Sequence, residues 1–245
     1  TAPDFNAESF APSGFFSTIY DSEGNVVDTL VGTNANRIEA TYDEFPEDLI
    51  NAFVAIEDSR FWQHSGIDLR SITRAAVGVL TNNYQGGAST LTQQLIKNTV
   101  FGGGMETSTG ARIERKIQEQ YLALQLTKNV DRKIIITNYL NTINLGSNTL
   151  GVKAAALRYF NKDVSDLTLS ECAVIAAITK NPSRLSPITG AEDNAQRRST
   201  ILQEMYNQGY ITKEEQEEAL ADDVYSRIQN VDLAAKENDT PYSYY

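Results

Sequence analysis

Residues 57–66 read Glu57-Asp58-Ser59-Arg60-Phe61-Trp62-Gln63-His64-Ser65-Gly66. Leu49, Ile50, Phe53 and Val54 recur at helical spacing just before this stretch. Two adjacent carboxylates therefore fall at the end of a helix. An aromatic pair, the chain's single histidine and a glycine turn follow at once. The pattern Glu-Asp-x-x-Phe-x-x-His-x-Gly fixes many positions within ten residues, and chance seldom supplies them all.

The rest of the chain after Pro46 also reads as helices. Pro46 suits a first helical turn. Asp68 can cap a helix carrying Leu69, Ile72, Ala76 and Val79. Ser89 can cap residues 90–98, and Asp131 can cap residues 132–143. Thr168-Leu169-Ser170-Glu171 and Thr212-Lys213-Glu214-Glu215 both have capping-box spacing. Pro182 and Gly209 are stop signals. Before Pro46, residues 15–20 and 26–31 are β-prone runs around a turn-rich segment, which predicts a hairpin or paired extended segments. The glycine-rich patch from Phe101 to Gly110 reads as a flexible loop between two candidate site motifs. The expected organisation is an extended segment over residues 1–45 following an anchor outside this sequence, a main domain over 46–222, and a linker over 223–245.

Composition removes several classes. A net charge of −11 argues against general nucleic-acid binding, which needs a basic footprint. One cysteine excludes an internal disulfide, and with one histidine it excludes a Cys/His zinc site. Cys172 lies in an apolar helical run and reads as a buried small hydrophobe. No run of about 18 apolar residues occurs, so nothing in the sequence spans a bilayer.

Two constellations carry chemistry. On the helix predicted for residues 111–128, Arg112, Arg115, Lys116 and Glu119 fall within roughly a 100° arc, beside an apolar face of Ile113, Ile117, Tyr121 and Leu124. Taken alone this could be a solvated face with an Arg115–Glu119 pair. It could also hold a diphosphate, to which arginine gives forked contacts and lysine point charges. The second constellation is Gly86-Gly87-Ala88-Ser89-Thr90-Leu91-Thr92-Gln93-Gln94-Leu95-Ile96-Lys97-Asn98. Glycines lead into a helix start rich in hydroxyls and amides, which suits an anion or a polyhydroxylated ligand, and Lys97 adds a cation. An ordinary capped helix would look similar. With Glu57 and Glu119 as separated carboxylates, the set fits glycosidic chemistry in which one carboxylate activates an attacking hydroxyl. His64 reads as a packing and hydrogen-bonding group that fixes the turn after the Glu57 helix.

These motifs resemble the peptidoglycan glycosyltransferases. Residues 57–66 resemble the family's first motif, and Gly87 to Asn98 its second. Arg115-Lys116-x-x-Glu119 resembles the third, and Ile135-Ile136-Thr137-Asn138-Tyr139-Leu140-Asn141 the fourth. The similarity covers about residues 15–221. It implies a mainly α, lysozyme-like, two-lobed helical fold after a short N-terminal β or extended segment. It implies polymerisation of lipid II into β-1,4-linked glycan, with inversion at MurNAc C1 and release of undecaprenyl diphosphate. Glu57 would be the general base and Glu119 the second catalytic carboxylate. Asp58, Ser89, Thr90, Gln93, Gln94, Lys97, Arg112, Arg115, Lys116 and Asn141 would bind substrate. Family members often carry a basic residue between the second and third motifs, and none occurs in residues 99–111. Either Arg112 compensates or that loop contributes backbone groups only.

The implied partners are lipid II, the growing lipid-linked glycan, a membrane surface and other cell-wall synthesis proteins, with no nucleic acid. The implied place is the outer face of the bacterial cytoplasmic membrane. No cofactor or resident metal is required, and assistance by Mg²⁺ or Mn²⁺ is left open. The chain's extension past residue 197 resembles the linker of class A penicillin-binding proteins, with a monofunctional transglycosylase as the alternative parent. A lysozyme-like hydrolase and a non-catalytic wall-binding domain are the competing functions. Hydrolysis of a sugar–sugar bond has no diphosphate to hold, so the cation cluster separates it from transfer.

Overall fold

A computed structural model of the chain describes residues 5–12, 17–20, 26–30, 36–81 and 87–233. The chain forms two compact units, each assembled from two stretches of sequence. Residues 1–11 and 53–139 make the first, and residues 12–52 and 140–245 the second.

The first unit contains the end of helix α1 (Glu47–Glu57), α2 (Leu69–Leu80), α3 (Leu91–Thr99), α4 (Thr109–Asn129) and most of α5 (Arg132–Thr142). Local chemistry sets each start. The Asp68 side chain accepts from the backbone N–H groups of Arg70 and Ser71 and caps α2. Ser108 caps α4 through the Ala111 N–H. Asp131 accepts from the Lys133 N–H at the start of α5. The cap of α3 is Thr90, one residue later than the sequence suggested. Thr90 wins because Gln93 completes a reciprocal capping box with it, which Ser89 cannot form with Thr92. Phe53, Phe61, Leu91, Leu95, Ile96, Leu122, Leu126, Ile135 and Tyr139 form the buried core, with α3 packed on α4. A 3-10 turn over Ala7–Phe10 adds Phe10 against α3.

Two helices of this unit expose apolar side chains. On α4, Ile113, Ile117, Tyr121 and Leu124 are all exposed, and Ile117 keeps 63% of its surface. On α2, Leu69 and Val77 are exposed as well. The side chains of Ala76 and Val79, expected on the apolar face of α2, lie outside the described residues.

The second unit holds the antiparallel pair β1 (Ser17–Tyr20) and β2 (Val26–Leu30), as the β-prone runs predicted. A short parallel pair joins β3 (Asn36–Arg37) to β4 (Thr149–Leu150). Helices α6 (Val152–Phe160), α7 (Leu169–Ile178), α8 (Ala191–Asn207) and α9 (Lys213–Ala221) follow. Every α7 residue from Ser170 to Ile178 is buried, so its unbroken apolar run makes it the central helix of the unit, packed against α8. Cys172 sits within it, and burial pushes its thiol well up. Both predicted capping boxes form, at Thr168–Glu171 and Thr212–Glu215. Gly209, with φ of +76°, lies just past the end of α8. The molecule is therefore mainly α, with short strands near its N-terminus and at β4. Among the described residues no helix is long and apolar enough to cross a membrane.

Candidate active site

Glu57 is the last residue of α1 and is half-buried. Its Oε2 accepts a hydrogen bond of 3.1 Å from Gln94 Nε2 on α3. Gln94 Oε1 in turn accepts from the Tyr139 hydroxyl at 3.2 Å. The carboxylate is thus oriented by an amide whose own orientation is set from α5.

Asp58 is buried, and its oxygens are occupied. Oδ2 accepts from the Leu91 backbone N–H at 3.0 Å, and both oxygens lie within 2.9 Å of His64 Nε2. The Gly66 N–H donates to His64 Nδ1 at 3.1 Å, so that nitrogen accepts and the ring proton resides on Nε2, facing Asp58. The turn after α1 is thereby fastened to the start of α3. Thr90 adds to the fastening by donating to the Gly66 carbonyl at 2.7 Å. Gly66 has φ of +94°, and a Cβ there would collide with the Ala123 carbonyl. Only glycine lets the turn lie this close to α4.

The cations gather on α4. Glu119 has no exposed surface, yet it accepts from Arg115 Nη1 and, at 2.6 Å, from Lys116 Nζ. Lys116 also donates to Ser89 Oγ at 3.0 Å, which ties α4 to the segment leading into α3. Arg115 Nε donates to Glu106 Oε2 at 2.7 Å, and Arg112 Nε to the Glu106 carbonyl at 3.0 Å. Burial works against the Arg115 charge, but hydrogen bonds and charge from Glu106 and Glu119 outweigh it and hold its pKa above the ordinary value. A hydrogen bond from its own backbone N–H, followed by the one from Arg115, lowers the Glu106 carboxyl. Lys97 is a half-buried residue, and its ammonium meets no acceptor among the described residues.

Eleven of the twelve residues singled out from the sequence therefore lie in the first unit. Their positions separate them by task. Glu57, Gln94, Lys97, Arg112, Arg115, Lys116 and Ser89 present groups that are at least partly accessible. Asp58, Thr90, Gln93 and Glu119 are buried and engaged with protein groups. Asn141, the twelfth, is in the second unit and is 1% exposed. Its amide oxygen accepts from the Ala40 N–H at 3.1 Å, and its NH₂ donates to the Ala40 carbonyl at 2.8 Å. This pairing closes a loop between sequence-distant backbone segments.

Two contributors escaped the sequence reading. Glu106 sits in a glycine-rich patch and carries no local signal. Its contact with Arg115 depends on the path of the loop, in which Gly102, Gly103 and Gly104 all have positive φ. Tyr139 stands within the fourth motif, but an isolated tyrosine at a helical apolar position looks like core. Among the described residues no group of three or more His, Cys, Asp or Glu side chains could hold a metal ion.

A transglycosylase family model matches residues 23–206. Penicillin-binding protein 1A of Clostridium novyi (strain NT) is 44% identical over 235 residues, covering 91% of this chain and 27% of that protein. Penicillin-binding protein 1A of Aquifex aeolicus (strain VF5) is 42% identical over 205 residues, covering 83% of this chain and 27% of the relative. A crystal structure of penicillin-binding protein 1A from Haemophilus influenzae aligns with a TM-score of 0.48 at 25% identity, over 91% of this chain and 22% of that one. The chain thus spans less than a third of the length of these relatives. The family match takes in the Glu57 turn, the α3 start and the cationic face of α4, and the chain belongs to the transglycosylase family.

Proposed function

We propose that this transglycosylase domain polymerises lipid II and comes from a class A penicillin-binding protein. The donor is the growing lipid-linked glycan and the acceptor is lipid II. Glu57 takes the proton from the acceptor GlcNAc 4-hydroxyl. The freed oxygen attacks the donor MurNAc C1 from the face opposite its diphosphate. The C1–oxygen bond breaks, its electron pair stays on the diphosphate, and C1 is inverted to give the β-1,4 link.

The observation that carries this reading is the division of labour within the first unit. A half-buried carboxylate is held by Gln94 of α3, while the segment leading into the same helix contacts a cation cluster through Ser89 and Lys116. A sugar diphosphate needs a base at the attacking oxygen and positive charge at the leaving group. Lys97, Arg115 and Lys116 supply that charge in this reading. Glu119 acts through the cations: fully buried between Arg115 and Lys116, it fixes where their charge lies. Asp58 and Thr90 position the turn that follows Glu57, and Asn141 supports the backbone around Ala40. The step uses no cofactor, and Mg²⁺ or Mn²⁺, if supplied, would add counter-charge at the diphosphate.

The substrate's polyprenyl chain remains in the bilayer, so the domain works at a membrane, on the outer face of the cytoplasmic membrane. Met105, Leu69, Val77, Ile113 and Ile117 are exposed apolar groups of the first unit that suit such contact. Incubating the purified chain with labelled lipid II in detergent micelles tests the reading. Polymer that lysozyme digests, with release of undecaprenyl diphosphate, is the expected product. New reducing ends cut from added glycan, with no polymer from lipid II, would favour a hydrolase instead.

A further inference from the structure

The Glu57 carboxylate meets an amide, and the amide meets a phenol. Gln94 Nε2 lies 3.1 Å from Glu57 Oε2, and Gln94 Oε1 lies 3.2 Å from Tyr139 Oη. A glutamine amide can turn over by half a rotation and exchange its donor and acceptor ends. In one setting its NH₂ faces the carboxylate and supports it; in the other its carbonyl faces the carboxylate and repels it. The ionised carboxylate can only accept, and a phenol that donates to Oε1 reinforces the first setting.

Tyr139 is itself fixed. Its ring has no exposed surface and meets Phe53 edge to face, with centroids 6.0 Å apart and planes at 80°. Phe53 lies one helical turn before Glu57 on α1, so the same helix that presents the carboxylate also locates the phenol ring.

We propose that Tyr139 is a positioning residue for the transfer reaction: its hydroxyl holds the Gln94 amide in the setting that donates to Glu57. The proposal rests on Glu57 being the base. Its hydroxyl acts at a distance from substrate, through Gln94, so it should affect the rate of the chemical step and leave substrate binding nearly unchanged.

The test is a mutant cycle on the purified chain with labelled lipid II, scored by kcat and KM separately. Tyr139→Phe removes one oxygen and keeps the ring packing. It should lower kcat about 3- to 10-fold, within the range that lost orientation produces, with KM within about twofold of wild type. In a Gln94→Met background, which has no amide to orient, Tyr139→Phe should cause no further loss. A hydroxyl that served only the core would instead lower the melting temperature and lose rate by the same factor in both backgrounds. Should Tyr139→Phe fold poorly, Gln94→Met alone approaches the relay from its other side, and must lower kcat by at least the same factor. Wild-type kcat in Tyr139→Phe, or equal factors in the two backgrounds, would overturn the proposal. Glu57→Gln in the same assay separates the two layers. Loss of turnover there together with an unaffected Tyr139→Phe would sink only the relay, whereas undiminished turnover in Glu57→Gln would remove the base itself.

Discussion

At the residue scale the sharpest contrast is between Glu119 and Lys97. Glu119 is a buried carboxylate between two cations, and Lys97 is a cation with no acceptor among the described residues. Breaking a buried ion pair from one side typically costs about 3–5 kcal/mol, because the surviving charges lose their compensation. Lys116 is partly exposed and so less penalised, which puts Glu119→Gln at about 3 kcal/mol, readable by urea unfolding. Lys97→Ala should leave the midpoint of unfolding unchanged and weaken a diphosphate donor analogue by about 1.5–3 kcal/mol. A neutral acceptor mimic should bind that variant normally, and equal weakening of both ligands would count against the diphosphate role. Sequence could name Glu119 because helical spacing places it on one face with Arg112, Arg115 and Lys116, and Lys97 because it follows the polar start of the preceding helix. It could not rank them, since burial separates Glu119 from Lys97 and the linear pattern carries no measure of it. Glu106 shows the same gap: its bond to Arg115 arises from a glycine-rich path that no periodicity announces.

At the element scale, helix starts were the most legible feature, because a cap is a local arrangement of three or four residues. Asp68 and the boxes at Thr168 and Thr212 form as read, whereas the α3 cap moves from Ser89 to Thr90 and Ser108 caps a helix read only from residue 111. Asp68 also offers a pH test. Burial pushes its carboxyl up, but the guanidinium of Arg60 and hydrogen bonds from Ser71 win and hold it well below its ordinary 3.8. A carboxyl depressed in the folded state stabilises above its unfolded pKa and loses that contribution as pH falls. Asp68→Asn should therefore be less stable than wild type at pH 7, with the difference shrinking below about pH 4. A gap that stays constant from pH 7 to pH 3 would show that the charge of Asp68 is irrelevant. The turn after α1 is a second case. Gly66→Ala forces a Cβ into the Ala123 carbonyl at positive φ, and should cost at least about 1–3 kcal/mol while disturbing His64 and Glu57. What stayed illegible was the partner of each apolar stripe. Periodicity found Ile113, Ile117, Tyr121 and Leu124 on α4, but only the packed structure shows that nothing among the described residues covers them.

For the whole molecule, linear reading also misses the way the chain divides. A boundary near residue 46 and another near 222 follow from composition and helix signals, whereas the two compact units each combine separate stretches of sequence. Long-range pairings such as Asn141 with Ala40 create that arrangement, and no local rule predicts them. Charge is uneven as well: residues 201–245 hold ten acidic and three basic side chains. The first unit carries most of the exposed large apolar side chains among the described residues, so membrane contact should depend on it. Ile113→Ser with Ile117→Ser should reduce co-sedimentation with liposomes several-fold without lowering the melting temperature, and unchanged sedimentation would exclude that face of α4. In the proposed reaction a carboxylate base and a cation cluster together transfer a sugar from a lipid diphosphate. Lipid II turnover by a folded Glu57→Gln protein tests it most directly, since the change keeps the shape and removes the proton acceptor. Turnover should fall about 10²–10⁴-fold with the melting temperature preserved. Near-normal glycan polymer from that variant would contradict it.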